Sequence, residues 1–145
     1  MNLERLLESV KKHEGYRNKV YLDTLGKRTV GVGHLCVEDF WEDDKEYEEE
    51  FLMDILKKDL QEAIRCAREL MEERDCLEID DKAAELIIEM LFQLRRTRVS
   101  KFNNMWKCLS EQNYIGASFE MLDSRWAKQT PNRAKSMANQ MKACG

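Results

Sequence analysis

Residues 13–34 read HEGYRNKVYLDTLGKRTVGVGH, and within this run a helical pattern gives way to a strand pattern. The residues before it predict an amphipathic helix over 3–14, because apolar side chains recur there at the three- and four-residue spacing of one helix face. These side chains are Leu3, Leu6, Leu7 and Val10. Glu14 continues the apolar stripe, and Gly15 supplies a helix stop. A carboxylic acid therefore occupies the place of the next core residue, where partial loss of water favours its protonated form.

Residues 19–37 predict a short β-hairpin, since strand-forming side chains flank a turn that contains glycine. With a loop at 25–27, Asp23 is expected opposite Thr29 on the neighbouring strand, and both side chains face the same way. Two glycines alternate with strand formers further along, and glycines in a strand often mark the close approach of a ligand or of neighbouring backbone. They are Gly31 and Gly33.

The remainder of the chain predicts helices. A long helical pattern covers about 46–72. The segment 81–94 is apolar nearly all round, which predicts a buried central helix with Asp80 as its N-cap. The later helices are expected at roughly 100–111, at 114–123, and from Thr130-Pro131 to about Ala143.

We therefore predict the α+β class. The chain is expected to be a mostly helical single domain over 1–145, with a small N-terminal β-hairpin lobe and a cleft between hairpin and helices. The hairpin lobe would cover about 15–45 and a bridging helix about 46–72. The helical lobe would cover 73–145 and include the N-terminal helix.

Charge is unevenly spread along the chain, whose formal net charge is −4. Nine acids and one base lie within 38–50, so 19 acids and 23 bases remain elsewhere. A mildly basic body suits a polyanionic partner such as a cell wall or a nucleic acid. We interpret the acidic segment as a solvated loop or helix start with no specific role. A cluster of cations is expected to be either a surface that attracts an anionic partner or a solvated basic connection; it comprises Arg95, Arg96, Arg98 and Lys101.

The chain has five cysteines and no C-x-x-C pair, which favours reduced thiols over a disulfide framework or a zinc site. Two histidines cannot form a metal site by themselves, so we predict neither metal nor cofactor. No apolar run approaches the roughly 20 residues of a membrane helix, and membrane insertion is not expected. Residues 1–5 lack the pattern of a signal peptide, so we expect synthesis in a cytoplasm unless a leader has been removed.

Three polar side chains of the opening run could carry chemistry: Glu14, Asp23 and Thr29. Hydrolysis of a glycosidic bond needs one acid that protonates the leaving oxygen and a second carboxylate that activates water or stabilises positive charge. Glu14 suits the protonated role, whereas Asp23 on an exposed hairpin should stay ionised. Their spacing along the chain is common in proteins, and by itself it does not indicate hydrolysis of a glycosidic bond.

Three blocks of sequence, in matching order, resemble the phage T4-type lysozymes, the muramidase family of phage endolysins. The first is the opening run with Leu35 after it. The second joins Met90-Leu91-Phe92-Gln93-Leu94 to Phe102-Asn103-Asn104. The third joins Ser124-Arg125-Trp126 to Gln129-Thr130-Pro131-Asn132-Arg133-Ala134-Lys135.

The resemblance implies hydrolysis of the β-1,4 bond between N-acetylmuramic acid and N-acetylglucosamine, by an inverting general acid/base mechanism without cofactor or metal. The implied partner is bacterial peptidoglycan rather than nucleic acid. The protein is then expected to be a monomer that acts on the cell wall, in the periplasm or outside the cell, after its release.

Residue by residue, the resemblance implies that Glu14 is the catalytic acid, that Asp23 positions or activates the attacking water, and that Thr29 lies beneath the sugar ring. An inverting mechanism predicts a gap of roughly 6.5–9.5 Å between the two carboxyl groups. A histidine–aspartate ion pair, structural in the family, is matched by His34 and Asp59. The implied substrate-binding positions are Leu35, Phe92, Gln93, Met105, Glu120 and Arg133.

Some of these positions depart from the family pattern. Met105 and Glu120 replace polar substrate-contacting residues, and the chain is shorter than the family between His34 and Asp59. A reduced lower wall of the cleft is therefore expected. Arg133 matches the arginine that pairs with the catalytic acid. A rival hypothesis is a peptidoglycan-binding protein with weak or no turnover; nucleic-acid binding through 95–101 has no motif to support it.

Overall fold

The computed structural model describes residues 2–145 and divides them into two compact units, Asn2–Glu62 and Ala63–Gly145. The described chain is mostly helical, with one small antiparallel sheet near its N-terminus, which confirms the predicted α+β class. The N-terminal helix belongs to the first unit together with the sheet, whereas the sequence analysis placed it with the helical lobe. The single domain over 1–145 and its cleft stay predictions.

The first unit begins with α1 (Leu3–Glu14), and a local hydrogen bond fixes each of its two ends. The Asn2 side chain accepts a hydrogen bond from the backbone N–H of Arg5 at 3.0 Å. At the other end Gly15 adopts a φ of 74°, and its N–H donates to the carbonyl of Lys11 at 2.9 Å. The predicted helix bounds are confirmed, and Glu14 is its last residue.

Three strands follow in the order β1-β2-β3: β1 (Arg17–Leu22), β2 (Arg28–Gly31) and β3 (His34–Leu35). The predicted pairing of Asp23 with Thr29 is wrong, because Tyr21 lies opposite Thr29. The reason is that the loop lies one residue earlier than expected, over 24–26. The Asp23 carboxylate accepts the backbone N–H groups of Leu25 and Lys27 at 2.9 and 2.8 Å, which closes a three-residue loop. Asp23 itself lies beyond the last residue of β1, so the expected shared face with Thr29 stays a prediction.

Of the two glycines predicted to lie in a strand, Gly31 is the last residue of β2, whereas Gly33 lies in the turn between β2 and β3. Gly31 and Gly33 have φ angles of 64° and 68°, and Val30 pairs with His34 across that turn. A Cβ on Gly31 would lie 3.4 Å from Cδ2 of Leu52. The close approach predicted at these glycines is made by side chains.

Every acid of the stretch 38–50 except half-buried Glu38 is exposed, as expected for a solvated loop or helix start, but the stretch also has a structural role. It inserts Trp41 into a buried core with Val30 and Leu52. Its acids lie near cations of the first unit, in pairs of 3.1, 3.9 and 3.8 Å that include the first turn of α2 (Glu49–Glu73). The pairs are Arg28–Asp43, Lys19–Glu46 and Lys11–Glu49. Exposed pairs of this kind each add little stability, but they give the acidic side chains specific partners.

His34 joins three elements of the first unit through two carboxylates. Its Nδ1 lies 2.7 Å from Oδ2 of Asp59, and its Nε2 lies 2.9 Å from Oε1 of Glu38, which also accepts the indole N–H of Trp41 at 2.7 Å. The bond to Asp59 raises the pKa of His34, burial lowers it, and Glu38 adds to the increase. Burial acts to raise the pKa of Glu38, but its bonds from Trp41 and His34 outweigh burial and hold the pKa low. The expected pair of His34 with Asp59 is present, and Glu38 extends it.

The second unit holds five further helices: α3 (Asp81–Val99), α4 (Asn103–Ser110), α5 (Tyr114–Leu122), α6 (Arg125–Gln129) and α7 (Pro131–Lys142). α7 packs against α3, α5 and α6, and α4 packs against α5. The Asp80 side chain accepts the N–H of Lys82 at 2.8 Å, which confirms the predicted N-cap. Pro131 begins α7 as predicted, but the Thr130 hydroxyl donates to the carbonyl of Trp126 instead of capping the helix.

The basic stretch 95–101 is not an open connection, because α3 continues through it after a break. Arg95 interrupts the helix with φ 71° and ψ 165°. Beyond the break, the guanidinium of Arg96 donates to Glu69 at 2.5 Å and to Glu73 at 3.1 Å. Arg98 donates to the side chain of Gln129 at 3.2 Å. The charge of Arg96 is thus compensated within the second unit.

All five cysteines are free thiols. Cys66 and Cys76 are buried, and burial raises the pKa of Cys76 to about 11. None of the helices described within residues 2–145 is long and apolar enough to cross a bilayer.

Truncation of a buried side chain on α3 should strongly lower the free energy of unfolding of the second unit. Ile87 is fully buried, whereas Ile115 on α5 is 53% exposed. Ile87→Ala is expected to lower the free energy of unfolding by about 2–5 kcal/mol, because it removes packing and leaves a cavity. Ile115→Ala is expected to change it by less than about 0.5 kcal/mol. Urea unfolding of both variants checks this, and similar losses would contradict the assigned burial.

The His34 contacts should make stability depend on pH. The folded pKa lies above the ordinary value, so the contribution is complete below about pH 6.5 and is lost as pH rises through the folded pKa. The free energy of unfolding of the wild type, minus that of His34→Gln, should fall between pH 6.5 and 9 by at most about 1.4 kcal/mol per pH unit. Denaturant titrations at several pH values measure this difference. A difference that stays constant with pH would refute the doubly paired imidazolium.

Candidate active site

Glu14 lies where the end of α1 meets the turn between β2 and β3. Its side chain is half-buried. A Cβ on Gly33 would lie only 3.2 Å from Oε2 of Glu14 and 3.4 Å from its Cδ. The carboxyl group therefore rests against a backbone position that carries no side chain, and the turn fixes one side of its surroundings.

Thr29 lies on the central strand, where its side chain is only 3% exposed. Its hydroxyl donates to the carbonyl of Lys27 at 3.0 Å. Tyr21 of β1 lies opposite it on one side and half-buried Leu35 of β3 on the other. Directly opposite residues share a face of the sheet, so the three side chains form one row across it.

Asp23 lies at the hairpin loop, two residues beyond Tyr21. Both of its hydrogen bonds to loop N–H groups use Oδ1. Its Oδ2 takes no part in these two bonds. One carboxylate oxygen thus holds the loop while the other is left for a further partner.

Tyr21 is a site residue that the sequence analysis missed. Burial and the negative charge of Glu14 raise its pKa, Arg17 lowers it, and Asp23 adds a further increase. Its phenol thus lies within electrostatic range of both candidate carboxylates, and it faces Thr29 across the strands. The alternation of side chains along β1 could have revealed it, because Tyr21 precedes Asp23 by two residues.

Within the first unit, Tyr21, Thr29 and Leu35 thus share one row of the sheet, and the charges of Glu14 and Asp23 act on that tyrosine. Two carboxyl groups with different partners, together with a hydroxyl group, can donate a proton, accept a proton and orient water. Within residues 2–145, no group of three or more His, Cys, Asp or Glu side chains is arranged to hold a metal ion. The expected separation of the two carboxyl groups stays a prediction.

The other expected binding residues belong to the second unit. Phe92 is buried, and the side-chain oxygen of Gln93 accepts the indole N–H of Trp126 at 3.0 Å. Met105 is fully buried and lines, with Glu120, a recess of about 430 Å³. Arg133 is half-buried on α7. Binding of a substrate by these residues remains a prediction.

Comparison with known proteins identifies the family of this chain. The family model described as phage lysozyme matches residues 11–143. The chain is also 26% identical, over 150 residues, to a protein of Dictyostelium discoideum called probable T4-type lysozyme 2, and the match covers 89% of this chain and 88% of that protein. Because the family model matches nearly the whole chain, including every candidate site residue, the protein belongs to the phage lysozyme family.

Proposed function

We propose that the protein hydrolyses the β-1,4 bond between N-acetylmuramic acid and N-acetylglucosamine in bacterial peptidoglycan. Membership of the phage lysozyme family supports a glycosidase of this kind. The observation that carries the proposal is the arrangement around Tyr21: Thr29 lies opposite it, and the charges of both Glu14 and Asp23 act on it. A glycosidase that inverts configuration needs two carboxyl groups that flank the bond to be cleaved.

Glu14 is proposed as the general acid. It gives its proton to the glycosidic oxygen as the bond to the anomeric carbon breaks. Its half-buried position against Gly33 supports this role, since a general acid must be held in a fixed place relative to the oxygen that it protonates.

Asp23 and Thr29 are proposed to handle the attacking water. The hydroxyl of Thr29 already donates a hydrogen bond to the backbone carbonyl of Lys27, so it can act toward water only as an acceptor. It would thereby orient the water while Asp23 takes up one of its protons through Oδ2. The water oxygen bonds to the anomeric carbon from the opposite face, and the configuration there inverts.

The proposed substrate places the site of action at the cell wall, which a protein made in the cytoplasm reaches after its release. We propose that a monomer is sufficient, because the three catalytic side chains come from one unit of one chain. The rival, a wall-binding protein without turnover, would sediment with peptidoglycan and yet release no reducing ends.

Glu14→Gln should abolish most of the activity, because the amide keeps the shape of the side chain but has no acidic proton. We expect the rate of peptidoglycan hydrolysis to fall about 100- to 10,000-fold. The measurement is loss of turbidity of purified peptidoglycan together with release of reducing ends. Glu8→Gln, at an exposed position of the same helix, is the matched control and should behave as the wild type. Equal turbidity loss from wild type and Glu14→Gln would sink the assignment.

Gly33→Ala tests whether the turn positions Glu14. The new methyl group would lie 3.2 Å from Oε2 and push the carboxyl group by a few tenths of an ångström. We expect kcat to fall on the order of 10-fold, since catalysis is sensitive to such displacements. The control is Gly26→Ala, which also has a positive φ but has no atom within 4 Å of the new Cβ.

Both glycine variants should lose about 1–2 kcal/mol of stability through backbone strain. Only Gly33→Ala should lose activity when the two are compared well below their melting temperatures. Equal kcat values for the two variants would show that the contact with Gly33 has no role in placing the acid.

A further inference from the structure

A recess of about 480 Å³ lies along β1 and the residue before it, outside the proposed catalytic groups. It is lined by six consecutive residues, Tyr16, Arg17, Asn18, Lys19, Val20 and Tyr21. Two of them carry aromatic rings, two carry positive charges and one carries an amide, while none carries a carboxylate. Aromatic rings pack against the apolar faces of sugar rings, and cations bind anionic groups. This lining therefore suits a ligand that has both a sugar ring and an anionic group.

An irregularity in β1 creates the recess. Arg17 lies opposite Gly31 and Tyr21 lies opposite Thr29, so four steps along β1 match only two along β2. In a regular strand, residues four apart are separated by about 13 Å. Here the extra residues curl the strand and bring the Arg17 guanidinium to 4.7 Å from the centre of the Tyr21 ring. Bulges of this kind often redirect a side chain beside a functional site.

Two residues of the acidic stretch, Glu46 and Tyr47, hold the curled part of β1 in place. The backbone N–H of Tyr47 donates to the carbonyl of Asn18 at 2.9 Å, and Lys19 lies 3.9 Å from Glu46. The segment that carries Trp41 into the core therefore also fixes the bulge. The position of Arg17 over Tyr21 is thus prepared by the fold before any ligand arrives.

Arg17 differs from the cations around it in having no carboxylate partner. Lys11 lies over the Tyr16 ring at 5.6 Å but also lies 3.8 Å from Glu49, and Lys19 is near Glu46. Across residues 2–145, Arg17 is found in contact with the Tyr21 ring and in no ion pair. Its guanidinium therefore offers an uncompensated charge and a free set of N–H donors next to the row that contains Thr29.

We propose that this recess binds a carboxylate of the glycan substrate, with Arg17 as the binding residue and Tyr16 and Tyr21 as walls. The proposal rests on the proposed function, since it assigns a specificity site beside the same catalytic groups. In peptidoglycan a carboxylate can come from the attached peptide, or from the lactyl group of muramic acid when the peptide has been removed. A guanidinium recognises either carboxylate through two parallel N–H donors.

The experiment measures binding in the full chain with Glu14→Gln as a common background, so that no ligand is consumed. The probes are three tetrasaccharides: one from peptidoglycan with its peptides, the same glycan stripped of peptides, and chitotetraose, which has no carboxylate. Arg17→Gln is expected to raise Kd about tenfold for a carboxylate-bearing glycan and to leave Kd for chitotetraose unchanged. An effect confined to the first probe identifies the peptide carboxylate, and one confined to the second identifies the lactyl group.

Two further variants sharpen the result. Arg17→Lys keeps the charge but loses the paired donors, so its Kd should lie between those of the parent and Arg17→Gln. Lys12→Gln removes one cation from an exposed position on α1 and should leave all three Kd values unchanged. The inference is overturned if Arg17→Gln weakens no probe, if it weakens chitotetraose equally, or if the parent binds none of them. Hydrolysis by the chain with native Glu14 separately decides the proposed function.

Discussion

The hydrogen bonds that the Asp23 carboxylate accepts from two backbone N–H groups of its own loop set the register of the hairpin in the first unit. They close the loop after Asp23, which places Tyr21 rather than Asp23 opposite Thr29. Because β2 is the central strand, this choice also fixes the row that continues to Leu35. A slip of one residue would turn every side chain of β1 to the other face. The same carboxylate that is proposed for catalysis therefore holds the geometry in which it would act.

The acidic segment performs a structural task that its charge does not reveal. Trp41 fills the core beneath the sheet, and Glu38 joins the indole of Trp41 to the imidazole of His34. The carboxylates around this aromatic side chain are met by cations from α1 and β1 and by an arginine of β2. Acids of this stretch thus lie close to cations of their own unit. Attraction between the two supports the packing of a hydrophobic anchor.

Local signals in the sequence predicted the features that depend on neighbouring residues alone. Gly15 ends α1, Asp80 caps α3 and Pro131 begins α7, each by a contact or a backbone preference within one turn. The hairpin register was not predictable in this way, since a side chain competed with the ladder for the same N–H groups. The short helix α6 has only five residues, too few to show a helical period.

Local sequence patterns also could not predict contacts between distant parts of the chain. The pairing of Arg96 with Glu69 turned an expected basic connection into the continuation of α3. Tyr21 was overlooked because its importance follows from the register. The residues proposed for chemistry came from the resemblance to a family, and the sheet supplies the physical setting in which those roles can be tested.

The free thiols have a consequence for the chemical durability of the protein. Burial raises the pKa of Cys36, Cys76, Cys108 and Cys144, so these sulfurs stay protonated at neutral pH. A protonated thiol is a poor nucleophile toward oxidants and disulfides. Burial thus protects these four side chains against oxidation and disulfide exchange, because it disfavours the reactive thiolate.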